Sequence, residues 1–387
     1  MRDKRAAMNP VLVVVTSSFP IRGDGSEAAG SFVADLVEEL AKHADVRVVA
    51  PGTRADREQW ANGVEVIRYA APSRPLSTLK PWRPADLRWI ARVLRGGLAA
   101  TRIAAAQDTR HVLALWGLPC GEWARRVALE SDMEYSVWML GSDVWSLGRM
   151  PVLRAMLARV IRQAKHAYAD GHQLADEARR IGGVPVEFLP STRRIDLVDP
   201  PPPRVQPPYR LLFLGRWHRN KGVDLLLDAL ALLSEDDWKR IECVEIHGGG
   251  PLESLVRERV SALQAQGRPV ILGGFLGKRE AEAAIVRADW VLIPSRIESI
   301  PIIFSDAMKL GRPVIATPVG DLRHLLDSAC GILCNAVDAS AITEALEAAI
   351  SINARIDPQT LAVHVETFSL NTITTTLLAG GGIRTDE

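Results

Sequence analysis

A chain of 387 residues is longer than one hydrophobic core usually grows, so two domains with room for a cleft between them are expected. Its 47 basic side chains against 46 acidic ones leave a net charge of +1, which excludes a global electrostatic footprint for nucleic acid. Cys120, Cys243, Cys330 and Cys334 form no CxxC pair, which speaks against a structural metal and reads as reduced, buried thiols in a cytoplasmic protein.

Arg2, Lys4 and Arg5 resemble a signal-peptide start, but the apolar run Val11–Val15 is too short for its hydrophobic region and stops at Thr16-Ser17-Ser18. It reads as a first strand. Short β-branched runs then alternate with helix-period segments, the pattern of βαβ units and parallel sheets. Further strands are expected at 46–50, 64–69, 112–116, 135–139, 167–169 and 186–189. A helix over 32–42 shows one apolar face in Phe32, Val33, Leu36, Val37, Leu40 and Ala41. No run approaches the roughly 20 apolar residues of a membrane span.

Residues 199–208 hold six prolines among ten positions, which neither donate to a ladder nor continue a helix, so a domain boundary is expected there. The alternation restarts with strands at 211–214, 244–247, 270–272, 290–293, 314–316 and 332–334, and with helices such as 224–233 and 251–265. The expected organisation is a domain over 1–200, a linker over 201–208 and a second domain over 209–360. Residues 361–387 read as a helix that could cross back to the first domain, then a disordered tail from Ala379. The fold class is α/β: two Rossmann-like, doubly wound parallel-sheet domains, with ligands at the carboxyl ends of their strands, facing across a cleft.

Breaking a sugar away from a nucleotide diphosphate leaves extra negative charge on two phosphates, which calls for cations, helix N-termini or a metal. The second half offers the first two. The strand at 211–214 runs into Gly215-Arg216, and Lys221-Gly222 opens the next helix, although a solvated pair of loop charges is the plainer account of these residues alone. His247-Gly248-Gly249-Gly250-Pro251 follows a strand and precedes a helix, so bare backbone could approach a phosphate or base there, or form only a tight turn. Neither the lysine-bearing phosphate loop nor Gly-x-Gly-x-x-Gly follows a first strand, which argues against an ATPase or a nicotinamide enzyme; the nearest match, Gly25 to Gly30-Ser31, lacks the lysine. In the run from Ser295 to Thr317, Glu298 stands in a loop, Pro301 suits a first helical turn and Asp306 lies on the helix that follows. Carboxylates accept hydrogen bonds from sugar hydroxyls, and one can hold a vicinal diol bidentately.

Taken together, Gly-Arg…Lys-Gly-Val, Gly-Gly-Gly-Pro and Glu-x7-Asp…Gly-x-Pro-Val-Ile-Ala-Thr resemble the retaining GT-B glycosyltransferases of family 4 (glycosyl transferases group 1), across the whole second half. The resemblance implies that Arg216 and Lys221 bind the diphosphate and stabilise the departing charge, and that Glu298 holds the transferred sugar. It implies backbone contacts to sugar and phosphates from Ser299, Ile300 and Pro301, close approach at Gly249 and Gly250, and a base lined by Phe275 and Leu276. Asp306 would hold the ribose diol where the family has a longer glutamate. The first half matches more weakly. Ser18-Phe19-Pro20 with Gly30-Ser31-Phe32-Val33 resembles the family's glycine-rich first loop, Gly30 letting backbone near the donor phosphate or acceptor. Met139-Leu140-Gly141-Ser142-Asp143-Val144 is similar to a His-Gly-Ser-Asp-Val motif with the histidine replaced by Leu140, which either moves its role to another group or weakens catalysis.

For the acceptor, Trp116, Gly141, Asp143 and Trp145 are the candidates, with Trp123 nearby. Tryptophans more often pack structurally than stack on sugar, and Asp143 could equally be an N-cap. From Pro84 onward Leu87, Ile90, Ala91, Leu94 and Leu98 share a helical face flanked by Arg83, Arg88, Arg92, Arg95 and Arg102. An ordinary solvated helix is the plainer account; peripheral contact with an anionic inner membrane face is the other.

The expected activity is transfer of a hexose-type unit from a UDP- or GDP-linked sugar to a hydroxyl acceptor (glycan, lipid-linked or small molecule), as in polysaccharide biosynthesis, with retention, no cofactor and no metal. Arg216 and Lys221 would do what a metal does elsewhere. A protein that binds the nucleotide sugar without transferring it is one rival, which Leu140 and Asp306 favour. An epimerase or phosphorylase on the same architecture is another, for which no motif is seen.

Overall fold

A computed structural model describes residues 9–22, 30–72, 79–80, 82–106, 108–197, 199–351 and 358–384. Contacts divide the chain into two units, one running to Arg193 and taking up the segment from Leu370, the other being Arg194–Ser369. The basic start at Arg2, Lys4 and Arg5, and Gly25, lie outside the described residues.

The first unit holds β1 (Val11–Val15), β2 (Asp45–Gly52), β3 (Asp56–Ala61), β4 (Val64–Ala70), β5 (Thr109–Leu115), β6 (Tyr135–Met139), β7 (His166–Ala169) and β8 (Glu187–Phe188). Their order is β3-β4-β2-β1-β5-β6-β7-β8, parallel throughout except β3 on β4. β1 is buried on both faces, which is why it reads as an unbroken apolar run, and in β5 and β6 the buried stretches 112–115 and 137–139 read the same way. β3 escaped the pattern because Asp56-Arg57-Glu58-Gln59 buries little. An edge strand can be held by its ladder and by ion pairs such as Glu58 with Arg68 at 2.5 Å.

The second unit holds β9 (Tyr209–Arg216), β10 (Ile241–Gly249), β11 (Val270–Gly273), β12 (Trp290–Ile293), β13 (Val314–Ala316) and β14 (Gly331–Leu333), all parallel, ordered β11-β10-β9-β12-β13-β14. Leu211 and Phe213 of β9 and Trp290 and Leu292 of β12 meet Leu226, Leu230 and Leu346 in one core. Each such side chain contributes about 1.5–3 kcal/mol by leaving water.

The proline stretch is not free chain. Asp289 accepts from the amides of Arg204 at 2.8 Å and Arg210 at 2.7 Å, and Glu282 from those of Asp196 at 3.1 Å and Leu197 at 3.3 Å. Buried Arg312 donates to the Pro201 carbonyl at 2.6 Å. These side chains tie Asp196, Leu197, Pro201, Arg204 and Arg210 to the second unit, so the boundary falls at Arg193/Arg194 rather than in the prolines. The tail also departs from expectation. A helix spans Leu370–Gly380, and Ile373, Leu377, Leu378 and Ile383 join the first unit's core with Val14 and Leu36. Ala379 is thus helical, because apolar residues at helical spacing on both sides of it have a core to enter.

The basic helix spans Pro84–Ala104 and turns a different face inward from the one expected: Asp86, Val93, Gly97, Ala100, Thr101 and Ala104 are buried. Gly97 sets that choice, since a Cβ there would lie 2.2 Å from the Trp123 ring, and only a bare backbone fits. Among the described residues no helix is long and apolar enough to cross a membrane.

Candidate donor and acceptor sites

The strand order places the second unit's site. Chain connections leave β9 toward β10 on one side, and β12 returns on the other, so β9 and β12 flank the topological switch point where a crevice opens at carboxyl ends. The loop after β9 carries Arg216 and Lys221; the loop after β12 carries Glu298. Arg216 is exposed at the end of β9. Lys221 closes a 3-10 turn, Arg219–Lys221, whose start is capped by the His218 ring accepting from the Asn220 amide at 3.1 Å. The Lys221 ammonium donates to the Glu298 carboxylate, and the Ser295 hydroxyl donates to the same oxygen at 2.9 Å. Three residues from two loops thus meet in one charge-neutral cluster.

Two close approaches hold that cluster in register. Gly222 has φ +70°, and a Cβ on it would lie 1.7 Å from the Pro294 carbonyl oxygen, so the lysine loop rests on the backbone entering the glutamate loop. On the far side, Gly320 has φ +53° and a Cβ would sit 2.3 Å from the Glu298 carbonyl oxygen, while the Asp321 amide donates to the Ser299 carbonyl at 3.1 Å. Arg296 laces the two loops further. Its amide donates to the Asn220 carbonyl at 2.7 Å, and its guanidinium to the Arg219 carbonyl at 2.7 Å and to both Asp224 oxygens at 2.7 and 2.8 Å. Burial alone would raise the Asp224 carboxyl, but the Arg296 bonds and charge outweigh it and hold the group below its ordinary value. Ser295, Arg296 and Gly320 were not picked out as site residues. Arg296 and Ser295 flank the glutamate in sequence, yet only the fold shows what they touch.

The remaining donor candidates divide. Ser299 is half-buried, whereas Ile300 and Pro301 are buried at the entry to the helix Ile302–Lys309. Gly249 lies beneath the Phe275 ring, where a Cβ would fall 2.6 Å from it, and that ring is 72% exposed, an open aromatic face beside Leu276. Gly250 approaches the Trp217 backbone, and the Leu252 amide donates to the Trp217 carbonyl at 3.0 Å. Asp306 is only 1% exposed, so the shorter carboxylate is turned into the protein rather than offered at the surface as a ribose grip requires. Among the described residues no group of three or more His, Cys, Asp or Glu is placed to hold a metal ion.

In the first unit β1 and β5 flank the switch point. Gly30, against Ser18, starts the helix Ser31–Leu40 after β1, and Trp116 directly follows β5. Phe32 meets the Trp116 ring edge-on at 6.3 Å. Trp116 has φ +71°, a conformation that costs a bulky residue about 1–3 kcal/mol and is held by bonds to the Trp138 carbonyl and from the Gly121 amide. Gly141 precedes the short helix Ser142–Trp145, and Trp145 is half-buried against the core. Asp143 and Trp123 turn inward. Trp123 packs edge-on with Tyr69 at 5.3 Å in the core. The buried Asp143 carboxylate accepts from the Gly117 amide at 2.6 Å, and burial raises its pKa against the backbone donors. Its place is inside, tying the β6 loop to the β5 loop. Asp143→Ala is therefore expected to lower stability by about 1–3 kcal/mol by orphaning that amide, read from the denaturant midpoint. An unchanged midpoint with impaired acceptor use would put the carboxylate back at the surface.

Two Rossmann-like α/β units, each with a topological switch point in its sheet, make up the fold of GT-B glycosyltransferases. The chain superimposes on sucrose-phosphate synthase from Thermosynechococcus elongatus with a TM-score of 0.73 at 17% identity, over 95% of this chain and 97% of that one. Anabaena HepE in complex with UDP follows at 0.66 and 16%, over 95% and 98%. Residues 208–351 match the family model for glycosyl transferases group 1. The chain is 24% identical over 280 residues, 68% of its length and 67% of the relative's, to TuaC of Bacillus subtilis, a protein assigned as a glycosyltransferase of teichuronic acid biosynthesis. It is 33% identical over 148 residues to a D-inositol 3-phosphate glycosyltransferase of Xylanimonas cellulosilytica, 38% of this chain and 34% of that protein.

Proposed function

We propose that the protein transfers a hexose-type sugar from a UDP- or GDP-linked donor to a hydroxyl acceptor, with retention and without a metal. The observation that carries the reading is the Lys221–Glu298–Ser295 cluster at the β9/β12 switch point, beside the exposed Arg216. A diphosphate in that crevice meets two cations on one loop. As the bond from the anomeric carbon to the phosphate oxygen breaks, its electron pair goes to that oxygen, and Arg216 and Lys221 stabilise the growing charge. The acceptor oxygen then forms its bond on the same face, and its proton passes to the departing phosphate. Glu298, fixed by Ser295, grips the sugar hydroxyls as acceptor and lends negative charge near an oxocarbenium-like centre. UDP-bound HepE and the relatives' glycosyltransferase assignments support the donor class.

A second reading, binding without transfer, is favoured by Leu140 at the motif's histidine position. One experiment separates them. A thermal-shift screen of UDP, GDP, ADP and their sugar conjugates is expected to raise Tm with one diphosphate, because a ligand that binds only the native state stabilises it by about 2.7 kcal/mol at a hundredfold excess over Kd. Hydrolysis or transfer of the matching sugar conjugate then supports transfer, whereas a shift without turnover supports binding only. No shift with any diphosphate overturns both.

A further inference from the structure

The helix Pro84–Ala104 presents an outward stripe that neither a core-packed nor a merely solvated helix requires. Leu87 is 53% and Leu94 45% exposed, seven residues apart and so on one line, and Trp82 just before the helix is 76% exposed. Beside each leucine stands an exposed arginine, Arg88 and Arg95, with Arg92 on the same flank and Arg83 near Trp82. Among the described residues none of these four arginines has a carboxylate partner; Arg92 lies over the Trp89 ring at 5.2 Å. The helix's own acid, Asp86, is buried and accepts from the Lys80 amide at 3.0 Å. No acid on the helix surface neutralises the stripe.

We infer that this face docks on an anionic lipid bilayer, with Trp82, Leu87 and Leu94 entering the headgroup boundary and Arg83, Arg88, Arg92 and Arg95 meeting lipid phosphates. Charge complementarity selects the partner. Arginines alone would suit any polyanion, but a helix with leucine and tryptophan set beside unpaired arginines matches a surface that is apolar beneath a negative layer. Each cation near such a surface strengthens binding about fivefold, and the contribution falls as salt shortens the Debye length from ~10 Å at 0.1 M to ~3 Å at 1 M. This surface belongs to the first unit alone, and the inference stands independently of what the donor loops do.

The test is co-sedimentation of the full chain with vesicles of phosphatidylcholine alone and of phosphatidylcholine mixed with phosphatidylglycerol. Binding is expected only to the mixed vesicles and is expected to be lost in about 1 M salt. Replacing Arg88, Arg92 and Arg95 by Gln should weaken it on the order of a hundredfold, and Leu87→Ser with Leu94→Ser should abolish it at unchanged charge. All five side chains are exposed, so Tm and the diphosphate-induced shift should stay as in the parent, which confirms folding and separates this result from the fate of the donor site. Absence of binding to anionic vesicles overturns the inference. So does binding that survives the leucine changes, which would show charge alone holding the chain at the surface with no side chain entering the headgroup boundary.

Discussion

Lys221→Ala is expected to lower kcat by about 10²–10³-fold, the cost of removing one preorganised charge from a site where negative charge develops. Two effects act in the same direction. The ammonium no longer faces the leaving diphosphate, and among the described residues Glu298 keeps only Ser295 as a side-chain partner, so an uncompensated carboxylate stands near the phosphates. Arg216→Ala should lose a comparable factor without the second effect, since Arg216 is exposed at the end of β9 and sits in no such pair among the described residues. The measurement is single-turnover transfer from the sugar conjugate of whichever diphosphate raises Tm. A Lys221→Ala enzyme within about threefold of the parent would remove this lysine from the chemistry, whatever the fate of the fold.

Gly222→Ala is expected to cost about 2–5 kcal/mol of stability, in two separable parts. A left-handed backbone costs an alanine about 1–2 kcal/mol. The added methyl group also meets the Pro294 carbonyl at 1.7 Å, which no rotamer relieves, so the two loops must part at an overpacking cost of about 1–3 kcal/mol. Gly267 supplies the comparison. It has φ +76° but nothing within 4 Å of its missing Cβ, so Gly267→Ala carries the backbone cost alone. Denaturant midpoints of the two variants should differ by the contact term, and equal midpoints would mean that the lysine loop does not rest on Pro294. Transfer should fall in Gly222→Ala beyond any loss of folded protein, because the Lys221–Glu298 contact depends on this approach.

The donor loops were legible before the fold because their chemistry is local. A strand's last residues, a glycine after a lysine, and a carboxylate before a helix lie within a few positions of each other, and their types alone point to phosphate and sugar. Burial was less legible. Asp143 and Trp123 sit in a motif or near strand ends like surface groups, yet one ties Gly117 and the other fills the space beside Gly97, contacts 26 residues apart in the chain. Asp306 occupies a position that reads as a ribose ligand, and packing places it inside.

By itself the sequence determined the alternation of strands and helices, the parallel strands of the two sheets, and the loops that carry Arg216, Lys221 and Glu298, because periodicity and turn chemistry act over a few residues. Only the tertiary structure decided that Ser295 and Lys221 converge on Glu298 and that Gly222 and Gly320 clamp its loop. It decided too that Asp289, Glu282 and Arg312 draw the proline stretch into the second unit, and that the helix after Pro84 turns Leu87 and Leu94 outward. Each of these depends on which segment packs against which, and the partners stand tens of residues apart, where no local pattern records them.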